Sequence, residues 1–205
     1  MYRCAVCLII KNESQYLIEW LDHYRNLGFE HFFIYNNSSD VSIKDYFFSI
    51  DYQNYHDVTI IDWRDENVAS QQRAYLHCCQ NQQNWDFILF CDTDEALQFR
   101  FNEKIQDFLE DIISQKGRID GVGFYWRMYG ENFETRHSIE DYKHYHDNQH
   151  IKSLVSPKEV LKWNLLSIKK IFFPVCKKFR ALLRKNKQCL FFPFAYLIAV
   201  QVNFQ

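Results

Sequence analysis

The sequence predicts an α/β protein whose mostly parallel sheet carries helices on both faces. Three observations predict it. The runs RCAVCLII (3–10), HFFIY (31–35), VTIID (58–62) and DFILFC (86–91) are nearly continuous in apolar residues rather than alternating. That is the pattern of strands buried on both faces. Stretches with apolar residues at helical spacing separate these runs. Each run ends in a polar cluster, at 11–13, 36–40, 62–66 and 92–95. In parallel sheets ligands bind beyond the carboxyl ends of the strands.

The elements follow in order. Residues 3–10 form the first strand. Asn12 offers a helix N-cap with Gln15 as its capping-box partner. Tyr16, Leu17, Trp20, Leu21, Tyr24 and Leu27 then share a helical face, and Gly28 is a natural stop. His31–Tyr35 is the second strand, ended by Asn36-Asn37-Ser38-Ser39-Asp40. A short helix is expected over 41–49, a strand over 58–62, a helix over 67–83 and a strand over 86–91. A helix over 103–115 and a strand over 120–126 come next.

Composition narrows the class. With 47% apolar and 24% charged residues, the chain of 205 residues is neither disordered nor fibrous. Five Gly and three Pro leave no flexible linker. The seven Cys are odd in number and lie mostly in apolar runs, which suits reduced, buried thiols of a cytoplasmic protein. Cys4 and Cys7 stand three apart in a strand, on opposite faces, so one metal cannot take both. Charge returns at Lys11 without a small-residue cleavage site, so no signal peptide is expected.

The charge is uneven. Residues 1–160 hold 15 basic against 26 acidic residues, while residues 161–205 hold nine basic residues and no acidic one. An acidic body argues against nucleic-acid binding. The basic, aromatic tail reads as a segment distinct from the 1–160 domain. It is open to three readings: a peripheral contact with the inner face of the cell membrane, a C-terminal packing element, or a frameshifted end.

The sharpest chemical signal is Asp92-Thr93-Asp94-Glu95, where the fourth strand ends. Carboxylates at i and i+2 can grip one hard divalent cation, Mn²⁺ or Mg²⁺, together with phosphate oxygens. The competing reading is a solvated acidic turn that caps the next element.

Further motifs add a resemblance. KNESQYLIEWLDHYRNLGFEHFFIYNNSSD (11–40) supplies Lys11, Asn12, Glu13, Glu19, Trp20, His23, Gly28, Asn37, Ser38 and Asp40 in an ordered pattern. CDTDEAL (91–97), GFYWRMYG (123–130) and HIKSLVSP (150–157) follow. Together these resemble bacterial glycosyltransferases related to families 2 and 92, over about residues 3–157. The resemblance implies the Rossmann-like GT-A fold and sugar transfer from a nucleotide-diphosphate donor, a UDP-sugar, to a glycan or lipid-linked acceptor. Its expected setting is surface polysaccharide or lipopolysaccharide assembly. Asp92 and Asp94 would hold the metal, and Lys11, Asn12, Glu13, Asn36, Asn37 and Asp92 would frame the nucleotide. Gln72 or Arg73, opening the helix before the fourth strand, could reach it too. An inverting transfer needs a carboxylate base, for which Glu140 and Asp141 are candidates. After Pro157 the chain departs from the pattern and carries no His. Two alternatives remain: a truncated, non-catalytic nucleotide-sugar binder, and a metal-dependent phosphohydrolase built on Asp92 and Asp94.

Overall fold

The computed structural model describes residues 1–99, 104–129, 145–162 and 189–200. In chain order these form β1 (Cys4–Ile10), α1 (Leu17–Asn26), β2 (His31–Asn36), α2 (Ile43–Ser49), β3 (Val58–Asp62), α3 (Ser70–Asn81) and β4 (Phe87–Phe90). Then come β5 (Glu95–Phe99), α4 (Ile105–Lys116), β6 (Gly121–Tyr129), β7 (Tyr145–Val155), α5 (Pro157–Val160) and β8 (Cys189–Val200). All the strands join one sheet in the order β3-β2-β1-β4-β7-β6-β8-β5. β3, β2, β1 and β4 run parallel to one another. β7 runs against β4 and β6, β8 runs with β6, and β5 runs against β8. The sheet is therefore mostly parallel.

Side-chain alternation along β1 divides the core in two. Cys4, Val6, Leu8 and Ile10 face a cluster with Trp20, Leu21 and Tyr24 of α1, Phe47 of α2 and Leu109 of α4. Ala5 and Cys7 face the other way, against Ala74, Tyr75 and Cys78 of α3 and Val160 of α5. Cys4 and Cys7 thus lie on opposite faces. Cys4, Cys7, Cys78, Cys79 and Cys91 are all buried free thiols. Each fully buried Leu or Phe contributes roughly 1.5–3 kcal/mol of apolar burial, which is why the two faces hold the sheet between helices.

The first helix starts later than the capping pattern suggests. Asn12 takes a left-handed backbone, φ 59°, which is incompatible with that N-cap role. Its side chain serves the neighbouring loop instead. Nδ2 donates to Asp40 Oδ2 at 3.0 Å, and Oδ1 accepts from the Asp40 backbone N–H at 2.8 Å. A short 3₁₀ turn, Ser14–Tyr16, then leads into α1. The stop at Gly28 is as expected: φ is 88°, and a Cβ there would lie 2.5 Å from Gln106 Oε1.

Three strands lie outside the predicted set. β5 is short and emerges directly from the acidic turn, where EALQF carries no strong strand pattern. β7 opens with polar residues. β8 comes from the segment after residue 160 and lies between β6 and β5. Among the described residues, no helix is long and apolar enough to cross a membrane.

Candidate functional site

Parallel pairing places Ile10, Asn36 and Asp62 side by side, so the loops after β1, β2 and β3 leave the sheet at one edge. β4 delivers Asp92 to the same edge, because Cys7 pairs with Phe90 and the Cys91 N–H reaches the Cys7 carbonyl at 3.3 Å. Antiparallel β7 pairs Ser153 with Phe90, which sets the preceding residue, Lys152, beside the start of the turn.

The turn is held from three directions. Its backbone closes through the Glu95 N–H donating to the Asp92 carbonyl at 3.3 Å. The Glu95 side chain folds back, and its Oε2 accepts from the Asp92 N–H at 2.8 Å. From α1, Trp20 Nε1 donates to the Asp92 carbonyl at 3.1 Å, and the Tyr24 hydroxyl donates to the Glu95 carbonyl at 3.0 Å. His23 Nε2 lies 3.0 Å from the Leu97 carbonyl, so that nitrogen carries the proton. Burial lowers the pKa of His23, in keeping with a neutral ring. The Glu19-Trp20…His23 motif thus includes two residues that dock the acidic turn and β5 onto α1.

Oxygens of Asp92, Asp94 and Glu95 lie within 4.8 Å of one another. Asp92 Oδ1 accepts from Gln71 Nε2 at 2.8 Å and from the Tyr75 hydroxyl at 3.3 Å. Its Oδ2 lies 2.6 Å from Lys152 Nζ, which also stands 3.1 Å from Glu95 Oε2. Asp94 faces solvent. Glu13 closes the β1 side, its Oε2 accepting from Thr93 Oγ1 at 2.6 Å.

These groups are electrostatically strained in a useful way. Burial, with Asp92 adding to it, pushes Glu95 up to about 8 even though Lys152 pulls the other way. Burial pulls the Lys152 pKa down, but Glu95 and Asp92 outweigh it and hold the ammonium protonated. Burial and the charges of Asp94 and Asp92 likewise raise Glu13, against the Thr93 hydrogen bond. Glu95 Oε1 is buried with no hydrogen-bond partner among the described residues. An orphaned carboxylate oxygen beside two further carboxylates is a donor set of hard oxygens, and it fits a small divalent cation.

The other candidate residues distribute unevenly. Lys11 is exposed at the end of β1, and Asn12 ties that loop to Asp40. Asn36 is buried, and its Oδ1 accepts from the Ser39 N–H at 3.3 Å. Asn37 Oδ1 accepts from the Asp65 N–H at 3.2 Å. Arg73 pairs with Asp65 at 3.0 Å, and it is Gln71, two residues earlier on α3, that reaches Asp92. Glu140 and Asp141 lie outside the described residues. Sequence reasoning assigned no role to Lys152, Gln71 or Tyr75. Lys152 stood in HIKSLVSP as part of a motif, and that motif was the available signal.

Comparisons with known proteins bear on this edge of the sheet. Residues 2–188 match the model of glycosyltransferase family 92. A family 92 protein of rice (Oryza sativa subsp. japonica) is 30% identical over 64% of the chain, which is 22% of the rice protein. One from Arabidopsis thaliana is 28% identical over 48% of the chain and 17% of its own length. The chain thus spans about a fifth of the length of these plant relatives. Among solved structures, Staphylococcus aureus TarS 1–349 in complex with UDP-GlcNAc superposes with a TM-score of 0.57 at 13% identity, over 99% of this chain and 60% of that one. HddC from Yersinia pseudotuberculosis does so with a TM-score of 0.54 at 11% identity, over 97% and 93%. Likenesses at this identity show the fold, an α/β, Rossmann-like sheet of GT-A type.

Proposed function

Because the chain belongs to glycosyltransferase family 92, we propose that it transfers a sugar from a nucleotide-diphosphate donor, a UDP-sugar, to a hydroxyl of a glycan or lipid-linked acceptor. The observation that carries this reading is the Asp92–Glu95 turn. It gathers three carboxylates within 4.8 Å at the carboxyl edge of a parallel sheet. The complexes of TarS with UDP and UDP-GlcNAc support a uridine donor.

On this reading Asp92 and Asp94, with Glu95 behind them, hold Mn²⁺ or Mg²⁺. When bound, the cation neutralises charge that builds on the leaving diphosphate. The chain's own residues do the rest. Trp20 and Tyr24 fix the turn from below, so that the carboxylates need little reorganisation. Lys11, Asn12, Glu13, Asn36 and Asn37 frame the nucleoside, with Arg73 at the rim. As the acceptor oxygen bonds to the anomeric carbon, the bond to the diphosphate oxygen breaks and the acceptor's proton passes to a carboxylate. Glu140 and Asp141 are the candidates for that base. The basic residues after 160 would bring the domain to an anionic membrane surface, near a lipid-linked acceptor.

The test is turnover. Incubation with UDP-sugars and Mn²⁺ should release UDP, and Asp92→Asn and Asp94→Asn should each abolish the release. Tight binding of UDP-sugars without any release would instead identify a non-catalytic nucleotide-sugar binder.

A further inference from the structure

The acidic turn has a cation of the chain's own beside it. Lys152 Nζ stands 2.6 Å from Asp92 Oδ2 and 3.1 Å from Glu95 Oε2. These are two of the three carboxylates that could share a metal ion. The ammonium is internal: the Lys152 side chain is 17% exposed and that of Glu95 is 0% exposed. Four carboxyl groups converge here, from Glu13, Asp92, Asp94 and Glu95, of which Glu95 alone is fully buried, and such crowding of acidic groups favours a counter-charge. β7 supplies it from the far side of β4.

Building on the donor-site reading above, we propose that the Lys152 ammonium is the resident counter-charge of the turn, and that it makes metal uptake conditional on the nucleotide diphosphate. A divalent cation that enters alone meets the ammonium at contact range, and Asp92 Oδ2 is already engaged. Like-charge repulsion at such distances weakens binding by about tenfold or more. A diphosphate changes the balance, because its oxygens give both cations a partner. The four-carbon stem of lysine lets the ammonium swing from Asp92 to a phosphate oxygen as the metal takes its place. Cation and nucleotide therefore enter together, and the site resists filling with bare divalent ions.

The test measures Mn²⁺ binding by calorimetry at low ionic strength, with and without UDP. Lys152→Met should bind Mn²⁺ alone about tenfold more tightly than the wild type or better, and UDP should enhance its Mn²⁺ affinity less. Loss of the ammonium leaves Glu95 uncompensated and threatens folding. The same comparison is therefore made between Glu95→Gln and Glu95→Gln/Lys152→Met, where charge and partner leave together. The gain in bare Mn²⁺ affinity should persist there. If UDP binds with Mn²⁺ but bare Mn²⁺ affinity is the same with and without Lys152 in both backgrounds, this inference is overturned and the donor site stands. If UDP and Mn²⁺ fail to bind the wild type at all, both fall.

Discussion

The Tyr24 hydroxyl donates to the Glu95 carbonyl at 3.0 Å and accepts from the Leu97 N–H at 3.3 Å. One phenol from α1, with no solvent exposure, therefore bridges the residue that ends the acidic turn to the strand that follows it. Position of the metal-ligating candidates and packing of the first helix are a single structural fact.

Tyr24→Phe isolates that bridge. The ring and its burial remain, while a buried carbonyl and N–H lose a partner, at a cost of about 1–3 kcal/mol. Thermal unfolding should show that loss. UDP affinity in the presence of Mn²⁺ should fall as well, since the turn is no longer held from below.

Asp94→Ala addresses the exposed member of the cluster. Removing one of several crowded carboxylates relieves repulsion, so stability should change by no more than about 0.5 kcal/mol. Stabilisation of the protein by UDP should lose its dependence on Mn²⁺. A variant found unfolded by circular dichroism would make the turn a structural element instead.

Asn12 joins the loops after β1 and β2 from a left-handed backbone. Asn12→Gly removes the two side-chain bonds to Asp40 but leaves the backbone unstrained. Asn12→Ala removes the bonds and adds strain, so it should be less stable than the glycine variant by about 1 kcal/mol. Chemical denaturation of the pair measures the difference. Equal stabilities would contradict the backbone assignment.

Away from the site, Arg25 Nε and Nη2 bind Asp57 Oδ2 and Oδ1 at 2.8 and 2.6 Å, tying α1 to the entrance of β3. Burial pushes the Asp57 carboxyl up, yet the Arg25 pair outweighs it and holds the carboxyl below its usual range. A depressed carboxyl stabilises the fold above its unfolded pKa, about 4, and that contribution disappears as pH falls through the folded value. Asp57→Asn should cost about 1.5–3 kcal/mol at neutral pH and should flatten the loss of stability below about pH 4. Denaturation midpoints from pH 2 to 7, in the range set by those carboxyl values, show whether the slope changes.

What was legible in the sequence follows from physical locality. β1, β2 and β4 could be read because burial on both faces writes them as unbroken apolar runs, as in Cys4–Ile10, and the half-buried edge strand β3 could be read from its β-branched run VTII. Asp92 and Asp94 could be read because two carboxylates at a strand's end are a local pattern. Lys152 could not: it lies 60 residues from Asp92, and only the antiparallel placement of β7 beside β4 brings the two together. On α3 the sequence suggested Gln72 or Arg73. Consecutive helical positions point about 100° apart, and the rotation that seats Tyr75 against Phe90 aims Gln71 at Asp92. The cap at Asn12 was misread because its competitor for the side chain, Asp40, belongs to another loop. β8 is itself an apolar run, Cys189–Val200, but it stands in the basic segment after residue 160 and carries Pro193, which argues against a strand.

The central claim is that the Asp92–Glu95 turn is a metal-dependent site for a uridine diphosphate donor. Titration calorimetry of UDP into the protein tests it most directly, once with Mn²⁺ and once with EDTA. The account predicts binding that is at least about tenfold tighter with Mn²⁺ and that collapses to the EDTA value in Asp92→Asn. Equal affinities with Mn²⁺ and with EDTA in the wild type would contradict it.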